Sequence, residues 1–181
     1  ADVGLLGYPN TGKSTLLGRV SRARPKVAPY PFTTLTPHLG MVRIGDREFV
    51  MADIPGLIEG AHKGLGLGSR FLKHIERTRL LLHLIDISQG GDPLELYEGI
   101  RRELRLFNPE LLQKPEIVVL NKIDLPEVRE RVQEVKEIFS RKGVPFLAIS
   151  ALTGEGIGGL LGEILKRLDG NGREGSQEAD R

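Results

Sequence analysis

The chain of 181 residues contains no cysteine and no tryptophan, and only 5% of its residues are aromatic. Without cysteine there can be no disulfide and no thiolate metal site, so a metal must be bound through oxygen or histidine. Long apolar runs are also absent, because residues 80–87 are interrupted by His83 and Asp86 and fall far short of the roughly 20 residues that a membrane-spanning helix needs. We therefore expect a protein of the reducing cytoplasm without a membrane segment.

A strong excess of one charge is missing as well. The formal net charge is +2, which is too small to indicate nucleic-acid binding by itself. A hydrophobic fraction of 39% and a charged fraction of 28% are typical of a folded domain, and the length fits one domain with one core. The chain begins at Ala1 and enters a strand-like run at once. We therefore expect no secretory signal and a domain excised from a larger protein.

Short apolar runs alternate with longer helical patterns, which predicts βαβ units and a mostly parallel sheet covered on both faces. Gly45 and Asp46 indicate a tight turn between the second and third strands, so that pair would add one antiparallel edge strand. The expected fold is therefore a three-layer αβα domain with a six-stranded sheet. The six predicted strands cover residues 3–6, 40–44, 48–52, 80–86, 117–120 and 146–149.

Helices are predicted for residues 14–21, 68–78, 93–107, 127–142 and 156–168. The last two carry apolar stripes at helical spacing, which indicates faces that pack against the core. Residues 169–181 are polar, rich in glycine and without periodicity, which predicts a flexible linker. The predicted organisation is a domain of residues 1–168 followed by a tail of residues 169–181.

Residues 7–14 read GYPNTGKS, which matches G-x-x-x-x-G-K-[ST] between a predicted strand and a predicted helix. Such a loop cradles phosphates with backbone N–H groups and the start of the helix. Lys13 is expected to reach the β- and γ-phosphates, and the Ser14 hydroxyl to bind Mg²⁺. The alternative is a glycine-rich turn that matches by chance. The predicted nucleotide-binding residues here are Gly7, Tyr8, Pro9, Asn10, Thr11, Gly12, Lys13, Ser14 and Thr15, the last with a local capping or packing role.

Residues 121–124 read NKID and follow the fifth predicted strand, at the end of a parallel strand where open α/β sheets bind ligands. The Asp124 carboxylate can accept from N1–H and the 2-amino group of guanine, whereas adenine would leave it unpaired. This favours GTP over ATP and argues against an ATP-dependent enzyme. Asn121 is expected to tie this segment to the phosphate loop, and Lys122 to cover one face of the base. A further tripeptide could offer N–H groups to guanine O6, namely Ser150, Ala151 and Leu152.

Two more segments contain residues that could sense the γ-phosphate. Residues 53–56 read D-x-x-G, in which Asp53 can hold Mg²⁺ through water and the Gly56 N–H can contact the γ-phosphate. The glycine-rich residues beyond could rearrange when that contact is lost, or could simply form a long loop. Either Thr33 or Thr34 could complete the Mg²⁺ shell, and local chemistry does not choose between them. The predicted nucleotide contacts of these two segments are Phe32, Thr33, Thr34, Asp53, Ile54, Pro55 and Gly56.

Taken in this order, GYPNTGKS, FTT, DIPG, NKID and SAL resemble the TRAFAC class of P-loop GTPases. Residues 26–39, KVAPYPFTTLTPHL, and residues 53–86, DIPGLIEGAHKGLGLGSRFLKHIERTRLLLHLID, closely resemble the Obg family. The resemblance covers nearly the whole chain except the tail. It implies that Thr34 is the magnesium ligand, that GTP, GDP and guanosine tetraphosphate are candidate ligands, and that the full protein carries flanking domains. It also implies a role in assembly of the large ribosomal subunit and in stress-linked growth control.

The expected reaction is GTP hydrolysis by a monomeric domain, with Lys13, Thr34 and Gly56 as the catalytic set. Leu57 stands directly after D-x-x-G, where Ras-like enzymes carry a glutamine that orients water, so intrinsic hydrolysis is expected to be slow. Asn10 suggests a K⁺ site beside the phosphates. The alternative is a module that binds the ribosome in response to GTP or GDP, with hydrolysis incidental.

Overall fold

The computed structural model describes residues 1–22, 26–27, 38–53 and 76–179. Within these ranges, seven strands form one sheet in the order β2-β3-β4-β1-β5-β6-β7. The strands are β1 (Val3–Leu6), β2 (Lys26–Val27), β3 (His38–Ile44), β4 (Arg47–Asp53), β5 (Leu80–Ile85), β6 (Glu116–Leu120) and β7 (Phe146–Ala148).

The sheet is mostly parallel, as the sequence predicted. β1 pairs in parallel with β4 and β5, and β6 joins β5 to β7 in the same direction. β3 runs antiparallel to both of its neighbours, and Gly45 in the turn to β4 has φ 62, in the left-handed region that favours glycine. All six predicted strands are present to within two residues at each end. The short strand β2 was not predicted, because two residues show no periodicity, and it pairs with the outer side of β3.

Five α-helices lie in the described ranges: α1 (Lys13–Val20), α2 (Pro93–Phe107), α3 (Pro126–Arg129), α4 (Val132–Lys142) and α5 (Ile157–Ala179). A 3-10 helix, Pro109–Gln113, follows α2. Asp92 caps α2 by accepting from the Leu94 N–H at 2.8 Å, and Pro93 occupies the first helical position. Residues 68–75 of the predicted helix at 68–78 lie outside the described residues.

Two helix boundaries differ from the prediction. The single helix predicted over residues 127–142 is two helices, because the Arg131 N–H bonds to Val128 O, three residues back, and tightens the chain between them. α5 continues past residue 168 to Ala179, where the sequence predicted a linker. No proline ends this helix, and the Asp169 carboxylate accepts from Arg47 Nη1 of β4 at 2.7 Å. The predicted helix end at residue 168 is therefore not observed.

Both faces of the sheet are covered, so the three-layer αβα arrangement is confirmed. One cluster joins β1, β4 and β5 to buried leucines of α1 and α5, such as Leu17 and Leu160. The other joins β6 to α2 and α4 through Tyr97, Val135 and Phe139. Each large side chain buried in this way stabilises the fold by roughly 1.5–3 kcal/mol. Within the described ranges, none of the helices is both long and apolar enough to cross a membrane.

Candidate nucleotide-binding site

Three loops and the last residue of β4 meet at the carboxyl edge of the parallel strands. They are the phosphate loop (residues 7–14) after β1, Asp53 at the end of β4, the NKID segment (residues 121–124) after β6, and the SAL segment (residues 150–152) after β7. Parallel strands place their carboxyl ends at one edge of the sheet, which is where open α/β sheets bind ligands. The described part of this edge contains two adjoining cavities.

The phosphate loop has the backbone that a phosphate cradle requires. Asn10 has φ 66 and Gly12 has φ 100, both in the left-handed region. A Cβ atom on Gly12 would lie 2.1 Å from Asn121 Nδ2, so only glycine fits there. α1 begins at the next residue, and the N–H groups of its first turn have no acceptor within the helix. The loop borders a cavity of about 420 Å³, which Asp53 and Lys122 also line.

Lys13, Ser14 and Asp53 form a polar cluster inside this cavity. Lys13 Nζ donates to Gly7 O at 2.8 Å and lies 3.9 Å from Asp53 Oδ1. Burial lowers the pKa of the Lys13 ammonium, and the charge of Asp53 offsets only part of that shift. Burial likewise raises the pKa of the Asp53 carboxyl, against the opposing charge of Lys13. Both residues are thus partly desolvated.

The same cluster fits a magnesium ion. Ser14 Oγ lies 3.5 Å from Asp53 Oδ2, and Asp53 Oδ1 is buried with no hydrogen-bond partner among the described residues. Hydroxyl and carboxylate oxygens are the ligands that Mg²⁺ takes in proteins, usually together with water and phosphate oxygens. A divalent cation at this place would offset the free-energy cost of burying the Asp53 carboxylate.

Asn121 ties the NKID segment to the phosphate loop, as the sequence predicted, and it also contacts the SAL segment, which was not predicted. Its Nδ2 donates to Thr11 O at 2.8 Å, and its Oδ1 accepts from the Ala151 N–H at 3.0 Å. The residue is 2% exposed, so these two hydrogen bonds are protected from water. One side chain therefore sets the spacing between the two loops.

Lys122 lies between the two cavities and lines both. Its Nζ donates to Asp86 Oδ2 at 2.7 Å and to Asn10 O at 3.0 Å, which anchors the ammonium and lays the aliphatic stem along the site. Burial raises the pKa of Asp86, but the hydrogen bonds from Lys122 and Ser88 outweigh burial and lower that pKa overall. Asp86 was not predicted as a site residue. Its position just after β5, at the edge of the sheet where ligands bind, could have indicated it.

The second cavity, of about 270 Å³, is bordered by Asp124 and Leu152. Asp124 Oδ1 accepts from Ser150 Oγ at 2.8 Å, which orients the carboxylate. The Ser150 N–H donates to Glu155 O, and the Ala151 N–H is held by Asn121. In the part of the chain that the structure describes, the Leu152 N–H is the donor of the SAL segment without an acceptor. Of the three N–H groups predicted to be available to guanine O6, those of Ser150 and Ala151 are therefore already hydrogen-bonded within the protein.

Not every predicted contact residue lines these cavities. The Tyr8 hydroxyl lies against Gly99 of α2, where an added Cβ atom would be 2.0 Å away, and Tyr8 lines a separate cavity of about 180 Å³. Six predicted residues lie outside the described residues: Phe32, Thr33, Thr34, Ile54, Pro55 and Gly56. The others are placed around the two cavities or support them.

The phosphate loop lies between a buried strand and a helix, and Lys13 and Ser14 at the start of that helix lie beside the Asp53 carboxylate. This arrangement defines a P-loop nucleotide-binding protein. A second cavity, bordered by Asp124, adjoins this phosphate loop.

A family model described as 50S ribosome-binding GTPase matches residues 2–122, and the chain belongs to this family. It is 60% identical over 172 residues to the GTPase Obg of Syntrophotalea carbinolica, in an alignment that covers 93% of this chain and 48% of that protein. The resemblance to the Obg family is therefore confirmed. The chain spans about half the length of the curated relatives that it matches.

Solved structures that share the fold include Era and the FeoB iron transporter. Era in complex with MgGDPNP and nucleotides 1506–1542 of 16S ribosomal RNA has a TM-score of 0.66 and 27% identity, covering 91% of this chain and 55% of that chain. The G domain of the T. maritima FeoB iron transporter has a TM-score of 0.66 and covers 91% of this chain and 96% of that chain. At 22% identity, the second similarity shows the fold alone.

Proposed function

We propose that this chain binds GTP with Mg²⁺ and hydrolyses it slowly to GDP and phosphate, acting as a nucleotide-dependent switch. The observation that carries the proposal is the pair of hydrogen bonds made by Asn121, which holds the loop that borders the cavity beside Lys13 next to the loop that borders the cavity beside Asp124. A nucleotide that spans both would place its phosphates beside Lys13 and its purine beside Asp124.

On the phosphate side, the Lys13 ammonium would exchange Gly7 O for oxygens of the β- and γ-phosphates, a short movement from its present position. Ser14 and Asp53 would hold Mg²⁺, the latter through water, together with Thr34. When bound, the ion neutralises phosphate charge as it develops during transfer. Lys13, Thr34 and the Gly56 N–H are the proposed catalytic groups, since they stabilise the transferring phosphoryl while water attacks in line.

On the base side, the Asp124 carboxylate, oriented by Ser150, would accept from N1–H and the 2-amino group of guanine. The anchored stem of Lys122 would cover one face of the ring, and the side chain of Leu152 the other. Leu152 is 69% exposed, so its side chain is free to pack against a purine.

Replacing Asp124 with asparagine tests the base assignment. Asp124→Asn should shift the preference from GDP toward xanthosine diphosphate by roughly ten- to a hundredfold, because the amide NH2 group can donate to the 2-oxo group of xanthine but meets another donor in the 2-amino group of guanine. Isothermal titration calorimetry with both nucleotides and Mg²⁺ measures the change. The matched control is Glu127→Gln, an exposed acid on α3, which should leave the preference for GDP intact. An Asp124→Asn variant that still preferred GDP would refute the assignment.

We further propose that the switch acts on the large ribosomal subunit, in its assembly and in growth control, as a cytoplasmic monomer that also accepts guanosine tetraphosphate. The family description and the similarity to Obg support this role. A second candidate function is a module that binds the ribosome in its GTP form while hydrolysis is incidental. Leu57 favours it, since an aliphatic side chain cannot orient the attacking water.

A further inference from the structure

An arginine of α1 holds the SAL segment by two of its carbonyl groups. Arg19 Nε donates to Ala151 O at 2.6 Å, and Arg19 Nη2 donates to Leu152 O at 2.5 Å. The planar guanidinium is a rigid fork, so it fixes the two acceptors relative to each other, which the single ammonium of a lysine cannot do. Arg19 lines neither nucleotide cavity, and no motif drew attention to it.

The first of these hydrogen bonds has a geometric consequence for the second cavity. Ala151 C=O and Leu152 N–H belong to one planar trans peptide unit, and they point in opposite directions. When Arg19 fixes the direction of Ala151 O, it therefore fixes the direction of the Leu152 N–H. Within the described residues, this N–H of the SAL segment has no acceptor and can donate to a ligand. Both Ala151 and Leu152 line the cavity beside Asp124.

The surroundings of Arg19 favour this arrangement. Gly154 has φ 92, and a Cβ atom there would lie 3.0 Å from Arg19 Nη1, so the glycine leaves room for the guanidinium. The Gly154 N–H donates to Ser150 O at 2.8 Å, and this hydrogen bond closes the turn of residues 150–154. Within the described ranges, Arg19 forms no ion pair with a carboxylate, and its donors are directed to the two carbonyl groups.

We propose that Arg19 is a positioning residue for guanine recognition, which orients the Ala151–Leu152 peptide so that its N–H donates to the 6-oxo group of the purine. This inference rests on the proposed GTP binding. Arg19 touches neither base nor phosphate and acts only through the peptide that it holds. Its removal should weaken the contact to the 6-oxo group and leave the contacts of Asp124 unchanged.

The test compares GDP with 6-thioguanosine diphosphate, which keeps N1–H and the 2-amino group but carries sulfur, a weak acceptor, at position 6. Arg19→Ala should weaken GDP binding by roughly three- to tenfold, the range of one hydrogen bond, and binding of the thio analogue by less than about twofold. Arg19→Lys keeps the charge but loses the fork, so its loss for GDP should fall between those of the alanine variant and the unmodified chain. Arg167→Ala removes a partly buried arginine of α5, which is paired with Glu163 and lines neither nucleotide cavity, and should change neither affinity.

Calorimetry with Mg²⁺ gives all the affinities, and circular dichroism confirms that each variant is folded. Equal losses for both nucleotides, no loss for either, or full recovery of GDP affinity in Arg19→Lys would overturn the role of Arg19. Should Arg19→Ala fail to fold, the lysine variant gives the same comparison with the charge retained. Failure of the unmodified chain to bind GDP would instead refute the proposed function itself, and the inference with it.

Discussion

Three side chains in the described part of the chain bury polar atoms without hydrogen-bond partners: Thr11, Asp53 and His83. Such atoms cost free energy, which a ligand can recover if it reaches them. Thr11 and Asp53 border the phosphate cavity, so a nucleotide and its metal ion can satisfy them. His83 lines neither nucleotide cavity, so its cost is carried by the fold.

His83 should make the stability of the fold depend on pH. Burial, assisted by the positive charge of Arg101, lowers the pKa of His83 to about 3. In the unfolded chain the His83 imidazole has a pKa near 6.5, so it binds a proton at a higher pH than in the folded protein. The stabilisation present above pH 6.5 is therefore lost as the pH falls from there toward 3. One such group should cost about 2 kcal/mol of unfolding free energy at pH 5 relative to pH 7.

Urea unfolding at pH 7 and pH 5 measures this loss. His83→Leu substitutes an apolar side chain of the kind that dominates β5, and it should abolish about 2 kcal/mol of the pH-dependent difference. An NMR titration of the imidazole in the unmodified chain gives an independent reading, in which the folded protein should show no protonation of His83 down to pH 5. A normal titration near pH 6.5 would contradict the expected burial cost.

At the scale of elements, α2 is linked to the phosphate loop by one close contact. Gly99 is buried in α2 and lies under the Tyr8 hydroxyl. An added methyl group would have to displace that hydroxyl, which is the end of a side chain rooted in the loop. The packing of α2 and the conformation of the loop are therefore coupled.

A double-mutant cycle measures that coupling. In a Tyr8→Ala background, Gly99→Ala should stabilise the fold by about 0.5–1 kcal/mol, because alanine is the better helix former. With Tyr8 present, the gain should shrink or change sign, because the added Cβ atom meets the Tyr8 hydroxyl. Thermal or urea unfolding of the four proteins gives the interaction energy. Strictly additive effects would show that Tyr8 and Gly99 are independent.

Periodicity identified elements well where the pattern was long or the strand fully buried. β5 is buried at all six positions, and α2 was predicted over the same residues that the structure shows. The division between α3 and α4 escaped prediction, because Val128 and Val135 keep one apolar face across it. A tightened turn at Arg131 is a property of hydrogen bonding that apolar spacing does not record.

For the whole molecule, the expected behaviour is that of a slow switch. With Leu57 in place of a glutamine, single-turnover hydrolysis by the purified chain should be about 10⁻⁴ to 10⁻³ s⁻¹, the range of an unassisted GTPase of the Ras type. Asn10 lines the phosphate cavity, and a K⁺ ion beside it should raise the rate in KCl above that in NaCl. Equal rates in the two salts would remove the potassium hypothesis, and fast turnover in both would contradict the role given to Leu57.

Large ribosomal subunits provide the second arm of that experiment. Strong acceleration of hydrolysis by the subunits supports a timed switch, whereas binding of the GTP form without a change in rate supports the module in which hydrolysis is incidental. The chain spans about half the length of its relatives, so the same measurement on a full-length relative shows what the other half of such a protein adds.

The sequence by itself determined the class of fold and predicted the chemistry of the ligand. The phosphate loop and the NKID segment are local strings whose spacing follows from what a phosphate and a purine require, so they can be read without coordinates. The tertiary structure alone decided which of the Ser150, Ala151 and Leu152 N–H groups is available, and that Arg19 holds their segment from 132 residues away. Such contacts depend on how α1 packs beside the loop after β7, and packing between distant segments leaves no periodic trace in the chain.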